Sequence, residues 1–343
     1  MKYLVTLRPI GSYFFGGEVT LGDGTSQNYF VESSILPQAS TLLGLMRYEV
    51  LRQNGLLSYD PSDPKVLEQI YKLIGQTGFS LETPVEQYGI IHKISPVFLT
   101  DGQQFYTAMP LDEGYTVELN TINRCSYFAC DHGSEDQKEN ITSETTINGF
   151  NPKTYDNYKY WCDPAKKRLD NPFTFSQQIG ITKNGRKDNE KDAFYKQTLV
   201  RLAPSLSMAF TVEVEKGSPF KEGKCILPLG GNRSMFVMTI ISTELDMETI
   251  FSPLHREGRL LALGDAFLDK VDSESCTFIW GENKPCRYME NSTKRKYSWA
   301  KPQKSSVLYH LQTRGSVIYA DSQTLNRLKK ESPYHNLGLN IFI

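Results

Sequence analysis

The sequence predicts an α+β fold. Helical periodicity is confined to a few short stretches, strand-like runs are many and unevenly spaced, and helices fall between strands. The same alternation returns late in the 343-residue chain, which has room for two domains of ordinary size. A tandem pair of βαββαβ units, the ferredoxin-like split arrangement, fits the length and this return.

Lys2 to Pro9 alternates as an opening strand. Ser40 to Gln53 follows as an amphipathic helix with Leu42, Leu43, Met46, Val50 and Leu51 on one side, Ser40 or Thr41 as its cap and Gly55 as its end. Asp63, Pro64 and Gly75 bracket a second helix carrying Val66, Leu67, Ile70, Leu73 and Ile74. Asp101-Gly102, between ISPVFLT and QQFYTAM, predicts a hairpin with a type I′ turn, because both turn positions need positive φ. From residue 114 to 171 the pattern dissolves into polar residues with Asn-Gly, Asn-Pro and Asp-Pro breaks, which reads as a long insertion. Strand-like runs resume at 208–215, 235–243, 259–263, 276–280 and 306–311. A helix near 321–330 and a terminal strand LGLNIFI close the chain. The expected division is 1–205, containing the insertion, and 206–343.

Composition narrows the function. With 39% hydrophobic and 22% charged residues the chain supports a real core, and the opening residues lack a secretory apolar run, so a cytoplasmic protein with no membrane partner is expected. Six scattered cysteines without a C-x-x-C pair indicate neither a zinc ribbon nor a disulfide framework, and no cofactor or metal is predicted. Net charge of −1 argues against free nucleic-acid binding by bulk electrostatics. Charge is nevertheless segregated: residues 283–304 carry seven Lys or Arg against Glu290, with Tyr288, Tyr297 and Trp299 interleaved, whereas 131–144 is acidic.

Gly16-Gly17 after Phe14-Phe15 permits close backbone approach to phosphates, though a plain turn uses the same residues. Gln38, Ser40 and Thr41 lie at a helix start, where unpaired N–H groups and small hydroxyls seat an anion or simply cap the helix. Arg47 falls two turns later and can reach a phosphate or a carboxylate such as Glu49. Gly44 suggests close approach of sheet or RNA. Gly230-Gly231-Asn232-Arg233 is a second glycine turn, either a hairpin or an RNA clamp. Lys183 and Arg186, among mixed charges, read as a solvated loop.

The stretch 7–52, with Leu7-x-Pro9, Phe14-Phe15-Gly16-Gly17 and Pro37-Gln38-x-Ser40-Thr41-Leu42-Leu43-Gly44-x-x-Arg47, resembles the opening of RAMP-superfamily subunits that hold the 5′ handle of the guide RNA in type III-B (Cmr) CRISPR effector complexes. Weaker echoes lie at Ile94 to Asp112, Gln178 to Leu199 and Leu227 to Arg233, and the second of them implies an RNA-contacting finger that carries Lys183 and Arg186. The resemblance implies two RRM-like RAMP domains and a non-catalytic RNA-binding role in antiviral defence. It also implies three sets of partners in the ribonucleoprotein: the guide RNA, the large polymerase-like and backbone RAMP subunits, and, indirectly, target RNA. Two features depart from it. The C-terminal glycine-rich loop is reduced to Gly338 and Asn340, and the acidic 131–144 run has no counterpart.

The competing reading is a metal-independent RAMP endoribonuclease that processes guide RNA. It needs a base, an acid and a cation around the 2′-OH. The five histidines are isolated, and His92-Lys93 near Tyr88 is the least poor triad. P-loop, Rossmann, Gly-x-Ser-x-Gly and kinase motifs are absent.

Overall fold

A computed structural model of the chain describes residues 1–17, 30–58, 63–119, 145–148, 150–151, 160–181, 194–288 and 307–343. The architecture is α+β with mostly antiparallel sheets and few helices. Its centre is the opening strand Lys2–Pro9, flanked by Ser207–Val214 on one side and Ser234–Ser242 on the other, both antiparallel. Gly223–Leu229 extends the sheet beyond 234–242. Ile91–Ile94 and Phe98–Thr100 continue it beyond 207–214, followed by Phe105–Ala108 and two short strands. Strands from both sides of position 205 therefore lie side by side in one sheet.

Strand alternation sorts the opening residues between two layers. Tyr3, Val5 and Leu7 face helix α1 (Ala39–Gln53) and helix α2 (Pro64–Ile74), packing with Leu42, Leu43, Met46, Val50, Ile70 and Ile74. Leu4 faces the other way and joins Phe98 of the same sheet and Phe251, Leu261, Leu263 and Val317 of the C-terminal part. Helix α2 forms as its residues dictate: the Asp63 side chain accepts from the Lys65 N–H, Pro64 opens the first turn, and Gly75 at φ 73° ends it.

The C-terminal part pairs Arg259–Leu261 with Val317–Tyr319, and Val317–Tyr319 with Phe278–Trp280. The last residues close the other edge, since Leu261 and Ile343 exchange backbone bonds of 2.9 and 3.1 Å. Short helices Lys270–Ser275 and Ser322–Lys329 fall between these strands. LGLNIFI is not one continuous strand: it starts at the last residue of the 3-10 turn His335–Leu337 and pairs through a bridge at Phe342. Gly338 and Asn340 are spent on packing: a Cβ on Gly338 would lie 2.6 Å from the Ser95 carbonyl carbon, and the Asn340 side chain brackets the Phe267 backbone at 2.7 and 2.9 Å.

Two expectations are corrected in detail. The Asp101-Gly102 hairpin exists, but Leu99↔Tyr106 and Thr100↔Phe105 pairing leaves a four-residue loop, held by the Asp101 carboxylate accepting from Gln103 N, Gln104 N and Tyr106 Oη. Helix α1 begins one residue early, after Gln38, which has no side-chain cap; Ser40 and Thr41 sit inside the first turn. Within the expected insertion, strands Thr116–Leu119 and Thr145–Asn148 pair, while the acidic run 131–144 lies outside the described residues.

A buried charge network ties the layers together. Asp112, 1% exposed, meets Arg259, also 1% exposed, at 2.8 Å, and accepts from Tyr319 Oη at 2.7 Å. Arg256 adds contacts at 3.5 Å to Asp112 and 2.7 Å to Glu113.

Candidate nucleic-acid interface

The structure brings the two glycine turns together. The Gly231 N–H donates to the Phe14 carbonyl at 2.9 Å, and a Cβ on Gly230, at φ 87°, would run into that same oxygen. Only glycine allows this approach. The loop is anchored by an aromatic cluster in which Tyr13, Phe15 and Phe236 lie 4.9 to 5.7 Å apart. Tyr13 also exchanges backbone bonds of 2.8 and 3.0 Å with Val200, and its hydroxyl donates to the Ile35 carbonyl at 2.8 Å. Burial raises the Tyr13 hydroxyl pKa, so it remains a neutral donor.

The segment leading into α1 is stitched to the same loop. Ser33 Oγ accepts from the Phe15 N–H at 2.9 Å, and Ser34 Oγ donates to the Gly16 carbonyl at 3.2 Å. Four residues after Ser34, Gln38 opens α1 with its carbonyl accepting from Thr41 N and Leu42 N at 2.9 and 3.1 Å. The first turn has no side-chain cap and no acidic residue, so its positive end is uncompensated.

Asn232 joins the group through its amide, donating to Gln197 Oε1 at 3.0 Å. Gln197 belongs to the strand Phe194–Leu202, which pairs with Phe173–Ile181 as a long hairpin. Lys183 and Arg186, between those strands, lie outside the described residues. Arg233 is exposed at φ 51°, at the edge of the turn.

Arg47 is not brought to this loop pair. Its guanidinium donates to the Thr77 carbonyl and lies 5.2 Å from the centroid of the Tyr88 ring. Burial there lowers its pKa to about 10. We expect Arg47→Ala to lower stability by about 1–2 kcal/mol through lost packing and hydrogen bonding while leaving RNA affinity unchanged. Denaturant midpoints and retained guide, measured on one preparation, check this. Gly44 is exposed and a Cβ there meets nothing within 4 Å, so no close approach of sheet explains it.

Two cations missed in the sequence stand nearby. Arg8 and Arg201 are exposed, line one cleft of about 270 Å³ with Ile10, Gly11 and Pro204, and make no side-chain bond or ion pair among the described residues. Arg8 was legible in principle, because the alternation that buries Leu7 turns Arg8 outward.

The basic 283–304 segment divides. Residues 289–304 lie outside the described set, and Tyr288 is buried, stacked on Tyr309 with ring centroids 5.9 Å apart and edge-on to Phe79. It serves packing rather than base stacking. The His92 grouping is not assembled either: His92 and Lys93, adjacent in a strand, point to opposite faces, Lys93 pairs with Glu248 at 3.7 Å, and the Tyr88 hydroxyl is buried. Among the described residues no cluster of His, Cys, Asp or Glu could hold a metal ion.

The profile of a CRISPR-associated protein family, Cas_Cmr3, matches residues 5–280. The chain belongs to the Cmr3 family. It is accordingly a subunit of a type III CRISPR effector. Among solved structures, this Cmr3-family chain is similar to one in the cryo-EM structure of the type III-B Cmr-beta complex bound to cognate target RNA. The TM-score is 0.52 at 11% identity, over 100% of this chain and 96% of that one. A chain of the same complex with target RNA and AMPPnP matches with TM-score 0.49, 11% identity and coverages of 99% and 96%. A chain of the Csm3-Csm4 subcomplex of a type III-A complex matches with TM-score 0.39, 12% identity and coverages of 94% and 93%. At 11% identity the first of these likenesses speaks for the fold alone. No curated protein matches this sequence. No helix among the described residues is long and apolar enough to cross a membrane.

Proposed function

We propose that this Cmr3-family chain is a non-catalytic, cytoplasmic RNA-binding subunit that grips the 5′ handle of the guide RNA and docks the large polymerase-like subunit and the backbone RAMP subunits. The observation that carries the proposal is the Gly231-to-Phe14 bond, which joins the two glycine turns, while the Ser33 and Ser34 bonds tie them to the segment that leads into the uncompensated start of α1. Glycine turns without obstructing side chains, near a positive helix end, let a sugar-phosphate strand approach closely. Gly16, Gly17, Gln38, Ser40, Thr41 and Gly230 to Arg233 form the grip, and Arg8 and Arg201 extend its cationic border.

Two ferredoxin-like units underlie this arrangement. Strand order 234–242, 2–9, 207–214, 91–100 is a 4-1-3-2 order with α1 between its first two strands. Order 341–343, 259–261, 317–319, 278–280, with helices at 270–275 and 322–329, repeats it. The pairing favours a division near 243 over one at 205. On the outer sheet face Ile226, Met235 and Ile241 are 61%, 43% and 47% exposed, an apolar patch suited to a protein neighbour.

In the assembled effector, Arg8→Ala and Arg201→Ala should each lower the slope of log K against log salt by about 0.7 per lost phosphate contact. Unchanged slopes for both would remove the cationic border from the proposal. Unprocessed repeat RNA incubated with the protein, with or without magnesium, should stay whole; a discrete product lost on His92→Ala would favour the nuclease.

A further inference from the structure

The hairpin strand Phe194–Leu202 supports both glycine turns and the segment that leads into α1. Val200 exchanges backbone bonds of 2.8 and 3.0 Å with Tyr13, beside the first glycine loop, and Lys196 to Thr198 pair in parallel with Phe30–Glu32. Gln197 reaches the second turn through its side chain. Asn232 Nδ2 donates to Gln197 Oε1 at 3.0 Å, and Gln197 Nε2 donates back to Asn232 Oδ1 at 3.5 Å.

The two partners sit in different surroundings. Gln197 is 5% exposed, whereas Asn232 stands in the exposed turn. Burying an amide is unfavourable unless its groups are paired, and a methionine of like size would fill the same space without that cost. Among the described residues the Gln197 side chain pairs with Asn232 alone. The pair is therefore a tether from the interior to a surface turn.

It acts on a turn whose backbone needs holding. Gly230 has φ 87° and Arg233 φ 51°, and a non-glycine residue keeps a left-handed conformation when its surroundings impose it. Inside the turn the Arg233 N–H donates to the Gly230 carbonyl at 3.3 Å, and the Gly231 bond to Phe14 fixes one side. Gln197 fixes the other. We propose that Gln197 is a positioning residue for the guide RNA: through Asn232 it sets the pose of the 230–233 turn and ties that pose to the hairpin strand, without touching RNA itself. The inference rests on the handle-gripping reading.

In the assembled effector, Gln197→Met should lower guide affinity about threefold to tenfold, the net worth of one hydrogen bond. Its salt slope should stay at the wild-type value, because no phosphate contact is lost. Asn232→Ala should lower affinity at least as much. The deciding measurement combines them: in an Asn232→Ala background, Gln197→Met should have no further effect, since its path to the RNA is gone. Exchanging the two side-chain lengths, Gln197→Asn with Asn232→Gln, should restore most of the affinity that Gln197→Asn alone removes.

Equal losses with and without Asn232 would mean general damage to the strand and overturn the positioning role. Wild-type affinity in a folded Gln197→Met protein overturns it too. Should that variant not fold, the full chain without RNA decides: Asn232→Ala, on the exposed turn, should raise amide hydrogen exchange at Gly231 and Arg233 by about threefold or more. Unchanged exchange there removes the tether. Failure of the grip itself looks different, because Gly230→Val would then hold guide as wild type does, and the positioning role falls with it. Guide lost from Gly230→Val but fully kept by Gln197→Met removes the positioning role alone.

Discussion

Asp112→Ala is expected to destabilise the protein by about 3–5 kcal/mol, the usual consequence of leaving a buried charge without its partner. Arg259 is 1% exposed, so water cannot replace the carboxylate, and the Tyr319 hydroxyl loses its acceptor at the same time. Tyr319→Phe, which removes one hydrogen bond and no charge, should cost only about 1 kcal/mol. Urea unfolding at unchanged slope measures both. A midpoint for Asp112→Ala within error of wild type would mean that the network is solvated in solution.

The largest effect on RNA should come from Gly230→Val. Its φ of 87° is unfavourable for a β-branched residue, and the new Cβ would press on the Phe14 carbonyl that Gly231 binds. Conformational strain alone costs about 1–3 kcal/mol. The turn must then separate from the Phe14–Gly17 loop, and at least a tenfold loss of guide affinity is expected. Gly17→Ala is the matched contrast, because a Cβ there lies 3.4 Å from the Glu32 carbonyl oxygen, an ordinary contact. It should melt as wild type does, and any affinity it loses reports the RNA side of the loop. Full guide retention by a folded Gly230→Val protein would dismantle the two-turn grip.

The elements coded by local periodicity were legible. Alternation in Lys2–Pro9, the apolar stripe of α1, and the Asp63-Pro64…Gly75 bracket of α2 each state a structure within a dozen residues. Pairing was not. Nothing local in MFVMTIIST says that it borders residues 3–9, so a division at 205 was natural from sequence, although the neighbours of the opening strand lie beyond it. The site shows the same limit. Gly16-Gly17 and Gly230-Gly231 were both conspicuous, but their union depends on one backbone bond across more than two hundred positions. The contacts of Arg47 were not legible, because helix position alone does not reveal a neighbour such as Tyr88. Arg8 and Arg201 were passed over because each is an ordinary strand cation until the cleft sets them together.

The central place of the opening strand also bears on how the chain is made. Its two partners, 207–214 and 234–242, leave the ribosome some two hundred residues after it. At about 5–20 residues per second this is a wait of roughly 10–40 s. During that time Tyr3, Val5 and Leu7 have no sheet to join, and high contact order slows their eventual capture. A nascent chain stopped before residue 207 should therefore remain protease-sensitive at its N-terminus and engage holding chaperones. One released after residue 243 should protect it.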